Sequence, residues 1–514
     1  MTLVRTEELA PGQQTAAENL QTYCGLDCCV TLEVHEEISR QFNIPPAIYQ
    51  FEKALQGPYL EIMQRGFLVD QVARHQASTA IRTRLESLNN TLNQMAFAVW
   101  DRPLNPRSQP QLQEFFYRAM RLPEVWISQK GERKLSVNRE VLEKLDVYLY
   151  ARPFVSVILL IRDLSKQLEV LETGLDSDGR FRASYNIAGT ETGRPSSSTN
   201  AFGTGGNAQN IAPGLRFAFV ADSGCKIAVI DLEQVEARDV GWFCGTLLGD
   251  WSYLDACEQG DLHTNNAKRI WPQLPWTGHG GQDRLIANRN FYREFSYRDM
   301  AKRGSHLSNY MGTAWMASRA LKVPLPMMEE FQARYIRGGK EIEPAFPCIA
   351  GLWQWIAGEL QTTHQLVTPF GRRRHFFGRP GDDTTLREAI AFLPQSTTAD
   401  RMNLGLWRVW KYMPEVQLLA QTYDSITFQF REDSDHEAIL GRALELIRVE
   451  LREPGGRIYA VPGEVKVGYN WMSAHDSSKP LGPSNRFNPD GLIKWKPGMK
   501  DNRDRKSGLQ RVMA

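Results

Sequence analysis

The 514-residue sequence lacks any apolar run long enough to cross a bilayer. Its longest, at 154–161, is interrupted by Ser156 and falls far short of the ~20 residues a spanning helix needs, so no membrane partner is expected. The start carries Glu7 and Glu8 without an apolar stretch and does not read as a secretory leader. Cysteine is scarce and odd in number, seven in all, which argues against a disulfide scaffold. Cys24, Cys28 and Cys29 cluster, yet no second ligand pair at zinc-site spacing follows. They are expected to be reduced packing residues in a cytoplasmic protein. An excess of one charge is also missing, the net charge being +2. A polyanionic partner would have to be gripped by local patches rather than by the chain as a whole. Glycine (40) and proline (27) are in ordinary use, which excludes a collagen-like or low-complexity chain. No internal repeat is present.

What is present is a chain sized for roughly three domains or lobes, 42% hydrophobic and 23% charged, as a packed core requires. Leu26, Val30, Val34 and Ile38 recur every fourth residue, near one face of a helix. Pro45-Pro46 interrupts that pattern, and a second helix is expected to about Arg65. Ile81, Leu85, Leu88 and Leu92 mark a long amphipathic helix over 72–100, and 151–175 reads as another. Pro103, Pro106, Pro110 and Pro123 break the stretch between them into short elements. Residues 184–214, rich in Gly, Ser, Thr and Asn, read as a loop-dominated surface. The run Ile227-Ala228-Val229-Ile230 reads as a buried strand ending in Asp231. After helical patterns over 233–365 come two hairpins, one about Pro369-Phe370-Gly371 and one about Asp424-Ser425, then a closing strand at 465–467. Residues 477–514 carry nine Lys and Arg against three Asp and read as a basic, loosely packed tail. This order implies an α+β fold, with the strands around Asp231 and Asp424 closing into an antiparallel sheet across a helical insertion.

Asp231 and Asp424 each sit at the edge of an apolar strand, where a carboxylate leaves the core and faces a cleft. Two such groups on adjacent strands could hold Mg²⁺, which binds through one or two carboxylates plus substrate phosphates. Two ions ~3.5–4 Å apart would clamp the attacking and leaving oxygens of a phosphoryl transfer. Taken alone, an Asp beside a Ser is more often a turn residue. A second series shifts the balance: Arg298, Lys302, His306 and Tyr310 recur every fourth residue and span about 18 Å of one helix face. Arg298 and Lys302 suit a triphosphate, while His306 and Tyr310 offer flat rings to a sugar and a base. A solvated basic face is the alternative.

These segments resemble the family A DNA polymerases, the DNA polymerase I-like enzymes, in their phage branch. Asp231-Leu232-Glu233-Gln234-Val235-Glu236-Ala237-Arg238 is similar to motif A of that family. Arg298-xxx-Lys302-xxx-His306-xxx-Tyr310 is similar to motif B. Tyr423-Asp424-Ser425 stands where motif C usually reads His-Asp-Glu. Thr192-Gly193-Arg194, with Asn207-Ala208-Gln209-Asn210, resembles the primer–template segment, and Asp261-Leu262-His263 a fingers motif. Thr368-Pro369-Phe370-Gly371-Arg372-Arg373 resembles the hairpin before a Gln-containing helix, in which Arg387 and Gln395 match and Ala391 replaces Asn. Glu464-Val465-Lys466-Val467-Gly468 is similar to the C-terminal strand. The resemblance covers about residues 18–475.

It implies a right-hand α+β fold with an antiparallel palm sheet, a helical thumb and helical fingers. The thumb would be 46–180, the palm 181–238 and 366–476, and the fingers 239–365. Residues 1–45 would be a remnant of an exonuclease-like region and 477–514 a basic tail. The implied activity is template-directed addition of dNTPs to a primer 3′-OH with two Mg²⁺ ions. Asp231, Asp424 and the Leu232 carbonyl would be metal ligands. Arg298 and Lys302 would hold the triphosphate and complete the catalytic set. Gln234, Glu236, His263, His306 and Tyr310 would line the nucleotide pocket, with Glu236 excluding a ribose 2′-OH. Arg194, Gln209, Asn210, Arg387, Gln395 and Tyr423 would hold primer–template DNA. A phage-type enzyme would replicate DNA in the cytoplasm of an infected bacterial host. Tyr23-xxx-Asp27 resembles the last motif of the family's 3′–5′ exonuclease, but the 22 residues before it contain no Asp. No proofreading is therefore expected from this chain alone, and a separate exonuclease polypeptide docking on 1–45 is the matching partner. Ser425 leaves two acidic ligands in place of three. The rival readings are a related palm enzyme that makes RNA and a catalytically weak, DNA-binding accessory subunit.

Overall fold

The computed structural model describes residues 16–41, 46–129, 132–293, 295–476 and 485–499. At its centre is a five-stranded antiparallel sheet. β1 (Cys225–Leu232) is the middle strand. β2 (Gln417–Thr422) and β3 (Ser425–Arg431) form a hairpin on one side; β4 (Gly463–Gly468) and β5 (Ile493–Lys494) complete the other. The order is β2-β3-β1-β4-β5. Residues 225–230 are all buried. A strand covered on both faces reads as an unbroken apolar run rather than as an alternation, and that run was the legible signal. Burial relaxes at Asp231, one residue before the strand ends at Leu232.

The 30-residue helix Asp383–Tyr412 is the hub of the packing. It meets the helices Val235–Leu248, His436–Ile447, Pro46–Arg65 and Pro347–Thr363. A fully buried ion pair fastens it to the first of these: Arg401 donates to Asp239 at 3.0 Å. Thr398 and Tyr459 hydroxyls donate to the same carboxylate at 2.8 and 2.9 Å. Arg401 also donates to the Val449 carbonyl at 2.7 Å. Every charge in the group is thereby matched, as burial of charge requires.

Apolar side chains gather into two clusters. The larger joins the sheet to the helices around it. The smaller, from Leu88 to Ile161, is built by Gln71–Trp100, Arg152–Glu172 and the short elements between them. Pro46–Arg65 gives Leu55, Tyr59 and Ile62 to the larger cluster, and Tyr59 donates to Asn403 at 2.8 Å.

Three expectations need correction. Residues 485–499 are not a loose tail: Ile493–Lys494 pairs with β4, and Asp490, Leu492 and Trp495 are buried. The open edge of β4 is an available partner for any extended segment, and two apolar side chains anchor this one there. The rest of 477–514 lies outside the described residues. Cys24, Cys28 and Cys29 are not packing residues but lie exposed on the helix Ala16–Gln41. Val30, Val34 and Ile38 form the expected helical face, and that face is exposed too. Residues 1–15 and 42–45 lie outside the described residues. Residues 184–214 are less loop-like than their composition implies, since Ala183–Asn186 pairs with Ser196–Thr199.

Replacing Arg401 by Met should strand the Asp239 carboxylate and lower stability by about 3–5 kcal/mol, read as a fall in the urea midpoint. The double variant Arg401→Met/Asp239→Asn should recover part of that loss. A single variant as stable as the parent would show that the pair fastens nothing.

Candidate active site

β1 and β3 run side by side with Ser425 opposite Asp231. The turn Tyr423-Asp424 lies just beyond the last pair of the β2–β3 ladder, Thr422 with Ser425. The Leu232 N–H donates to the Asp424 carbonyl at 3.0 Å, which ties the two carboxylate-bearing segments together. Tyr423 adopts φ +54°, a left-handed conformation that costs a non-glycine residue roughly 1–2 kcal/mol. Burial, then the charge of Asp424, pushes the Asp231 carboxyl up to about 7. Burial also raises Asp424; Glu236 adds to the effect and Arg194 opposes it. The Asp231 carboxylate has no hydrogen-bond or ion-pair partner among the described residues. Two half-buried carboxylates that resist ionising together fit a hard divalent cation such as Mg²⁺.

Glu464 faces Asp231 from β4 but is not a free third carboxylate. It pairs with Lys466 at 3.1 Å and with Lys494. Although burial works against them, these cations hold its carboxyl below the usual value. Lys466 and Arg216 line a small recess together with Asp231 and Ser425. The sequence reading assigned neither cation a role. For Lys466 a signal existed, since it lies two residues from Glu464 on one face of a recognisable strand. Arg216 gave none.

A chain of polar contacts runs outward from the carboxylates. Glu236, in the first turn of Val235–Leu248, accepts from the Tyr310 hydroxyl at 2.7 Å and pairs with Arg194. Burial and the Glu236 charge raise the Tyr310 hydroxyl well above its ordinary value, so it remains a donor. Arg194 lies 5.9 Å from the Tyr423 ring centre, and the Tyr423 hydroxyl donates to Asn210 at 3.0 Å. Beneath them Gln209 is buried and donates to the Pro195 carbonyl and to Gln421, at 3.1 and 3.3 Å; it braces this surface from below. Gly193 has φ +75°, and a Cβ there would lie 2.5 Å from the Arg372 guanidinium carbon. Glycine is needed for Arg372 to pass and reach Asp400, at 2.6 Å.

The helix Tyr297–Asn309 opens with a reciprocal cap between Ser296 and Asp299. Met300, Ala301, Gly304, Ser305 and Ser308 are buried, while Lys302 and His306 are exposed and Arg298 is half-buried. Arg298 donates through Nε and Nη2 to Asp261, at 2.6 and 2.8 Å. Against the effect of burial, these bonds and one from Thr264 hold the Asp261 carboxyl down to about 2. Burial, then the Arg298 charge, lowers His263 to about 4, so it is neutral at pH 7. His306 meets Tyr310 edge-on, ring centres 5.4 Å apart. Asn309 is bound by the hydroxyls of Tyr253 and Tyr335, at 3.0 and 2.8 Å, which fixes where the helix ends and Tyr310 begins. Arg387 and Gln395 lie half-buried on Asp383–Tyr412, with Arg387 paired to Asp383 at 3.2 Å.

The structure thus joins Asp231, Leu232, Asp424, Glu236, Tyr310, Arg194, Tyr423 and Asn210 in one cluster. Arg298 and His263 form a second around Asp261. Four buried polar atoms without a partner fall on residues singled out from the sequence: Arg194 Nε, Gln234 Oε1, His263 Nδ1 and Arg387 Nε. Such atoms are expensive to bury; eight others lie elsewhere among the described residues, Arg401 Nε included.

Residues 74–473 match the profile of DNA polymerase family A. The thermostable DNA polymerase I of Thermus thermophilus is 28% identical over 421 residues, which is 77% of this chain and 45% of that protein. DNA polymerase I of Chloroflexus aurantiacus is 26% identical over 499 residues, 91% of this chain and 48% of that protein. The chain spans about half the length of the curated relatives it matches. A solved structure, the POL domain of Pol1 from M. smegmatis in complex with DNA primer-template and dNTP, aligns with a TM-score of 0.64 at 20% identity. It covers 82% of this chain and 69% of that one. That likeness shows the fold: an α+β right hand with an antiparallel palm sheet, a helical thumb and helical fingers.

A carboxyl raised in the folded state contributes stability that is fully present below its unfolded pKa and lost as pH rises toward the folded value. Metal-free protein should therefore lose stability between about pH 4 and 7 in part through Asp231. Asp231→Asn removes that share. The variant should match the parent near pH 4 and exceed it at pH 8 by about 1–3 kcal/mol in urea denaturation. A difference that does not vary with pH would show that the carboxyl is not raised.

Proposed function

The chain belongs to DNA polymerase family A, and from that membership we propose that it is a template-directed DNA polymerase adding dNTPs to a primer 3′-OH. One observation carries the reading. The Asp231–Asp424 pair lies beside the Glu236–Tyr310–Arg194 contact, which would set a cation site next to a sugar pocket. Asp231, Asp424 and the Leu232 carbonyl would hold two Mg²⁺ ions, which supply the positive charge that favours a 3′-alkoxide and a leaving pyrophosphate.

The chain's own side chains do the rest. Glu236, fixed by Tyr310 and Arg194, would occupy the space a ribose 2′-OH needs. Arg298 keeps Nη1 uncommitted while Asp261 fixes its plane, and Lys302 lies one turn further along. Together they would grip the triphosphate and offset charge developing in the transition state. His263, uncharged, could donate a hydrogen bond to a phosphate oxygen. Arg194, Asn210, Tyr423, Arg387 and Gln395 would meet the primer–template, with Gln209 bracing them. Such contacts position the duplex while base pairing supplies the sequence. In this reading the thumb is 46–180, the palm 181–238 with 366–476, and the fingers 239–365. The exposed face of Ala16–Gln41, which carries Tyr23 and Asp27, would receive the separate exonuclease polypeptide. Among the described residues no helix is long and apolar enough to cross a membrane.

Primer extension on a recessed template with dNTPs and Mg²⁺ tests the proposal. Asp231→Ala and Asp424→Ala should each reduce extension by about a thousandfold or more while still binding the primer–template. Glu236→Ala should raise ribonucleotide incorporation. A wild-type protein that binds the primer–template and extends nothing would favour the accessory-subunit reading, and preferential use of NTPs the RNA-making one.

A further inference from the structure

Residues 371–381 read Gly-Arg-Arg-Arg-His-Phe-Phe-Gly-Arg-Pro-Gly, with four arginines and no acid. Arg373–His375 pairs with Gln365–Val367 in a two-stranded hairpin. The ladder continues one step, where the Phe376 N–H donates to the His364 carbonyl at 2.8 Å. Side chains therefore alternate in direction. Arg374 and Phe376 turn inward. Arg374 is held by Glu388 at 2.8 Å and by Glu191, and it lies 4.6 Å from the Phe376 ring centre. Phe376 is buried and meets Phe392 edge-on. Arg373, His375 and Phe377 turn outward and are exposed, Phe377 to 99%. Arg379 is exposed just beyond. Among the described residues the side chains of Arg373, His375 and Arg379 make no hydrogen bond or ion pair.

The row is also held in place. A Cβ at Gly378 would lie 2.1 Å from Thr385 Oγ1, so the loop rests directly on the first turn of Asp383–Tyr412. The Asp382 N–H donates to the Arg379 carbonyl at 3.0 Å and closes the turn. Folding gains nothing from a fully solvated phenylalanine. An aromatic ring set among arginines along a braced hairpin arm and the loop after it is, however, the arrangement that receives unpaired nucleotides: the ring stacks on a base and the guanidinium groups meet phosphates.

We propose that Arg373, His375, Phe377 and Arg379 form a stacking strip for single-stranded DNA, occupied by the unpaired template overhang. The occupant rests on the polymerase reading. In a recessed primer–template only the overhang offers free base faces, and the strip lies between two segments assigned to the primer–template. It leads into the helix carrying Arg387, and the Arg374–Glu191 pair links it to the segment carrying Arg194.

The test is fluorescence anisotropy of the full-length protein with primer–templates whose overhang is one nucleotide or about a dozen, within the reach of such sites. Phe377→Ala should weaken binding of the long overhang about tenfold and leave the one-nucleotide overhang unchanged. Phe377→Trp should restore it. Arg373→Ala/Arg379→Ala should flatten the salt dependence on the long overhang by a slope of about 1.4. Equal loss on both overhangs, no loss on either, or failure of Trp to restore binding would overturn the strip. The polymerase reading fails separately. Wild-type protein that does not extend the one-nucleotide template, yet holds the long overhang through Phe377, keeps the strip and loses the polymerase.

Discussion

Asp239 and Arg401 meet inside the protein with no water contact, and the candidate site depends on that contact for its geometry. Asp239 lies one helical turn after Glu236, and Glu236 follows Asp231 by five residues. Arg401 lies six residues after Gln395 on the helix that also carries Arg387. One buried pair thus ties together the strand that carries Asp231, the helix that carries Glu236 and the helix that carries Arg387 and Gln395. Neither member could be removed alone without stranding a charge in a low-dielectric interior. Thr398, Tyr459 and the Val449 carbonyl take up part of the remaining hydrogen-bonding capacity, leaving Arg401 Nε without a partner, and link the loop after His436–Ile447 to the same point.

Around this anchor the site distributes several of its charges in pairs, and among the described residues the two aspartates stand outside them. Arg298 rests on Asp261, Arg194 on Glu236, and Glu464 on Lys466 and Lys494. Asp231 and Asp424 have no such partner among the described residues, and both carboxyls are raised, by burial first. The pairs also orient their members: a bidentate carboxylate holds a guanidinium plane so that its free edge is already aimed. A grip set in advance loses less entropy when a ligand arrives. The replacement of a usual acid by Ser425, directly opposite Asp231, fits the same economy of charge, because a further carboxylate there would press still harder on a pair that already resists ionisation.

Much of the fold was legible in short patterns. The apolar run before Asp231, the spacing of Arg298, Lys302, His306 and Tyr310, and the turn at Asp424 each named an element and its facing residues, because local periodicity records which side of an element is buried. Where the same reasoning failed, the information was not local. The Val30–Val34–Ile38 periodicity made a helix, but periodicity states that a face is apolar, not what covers it. The basic composition of residues 477–514 concealed Leu492 and Trp495, whose burial depends on an edge strand more than twenty residues earlier.

The sequence by itself determined the elements, the pair of aspartates and the cationic helix face, since these follow from residue type and from spacings of two and of four. Only the tertiary structure decided that Gln209 is buried and bonded to Pro195 and Gln421, that Arg298 shares its charge with Asp261, that Glu464 is already paired with two lysines, and that Arg374 turns inward while Phe377 is left in solvent. Each of these depends on which distant segment arrives beside a side chain. Pairing energies between charges fall with distance in space and are indifferent to distance along the chain.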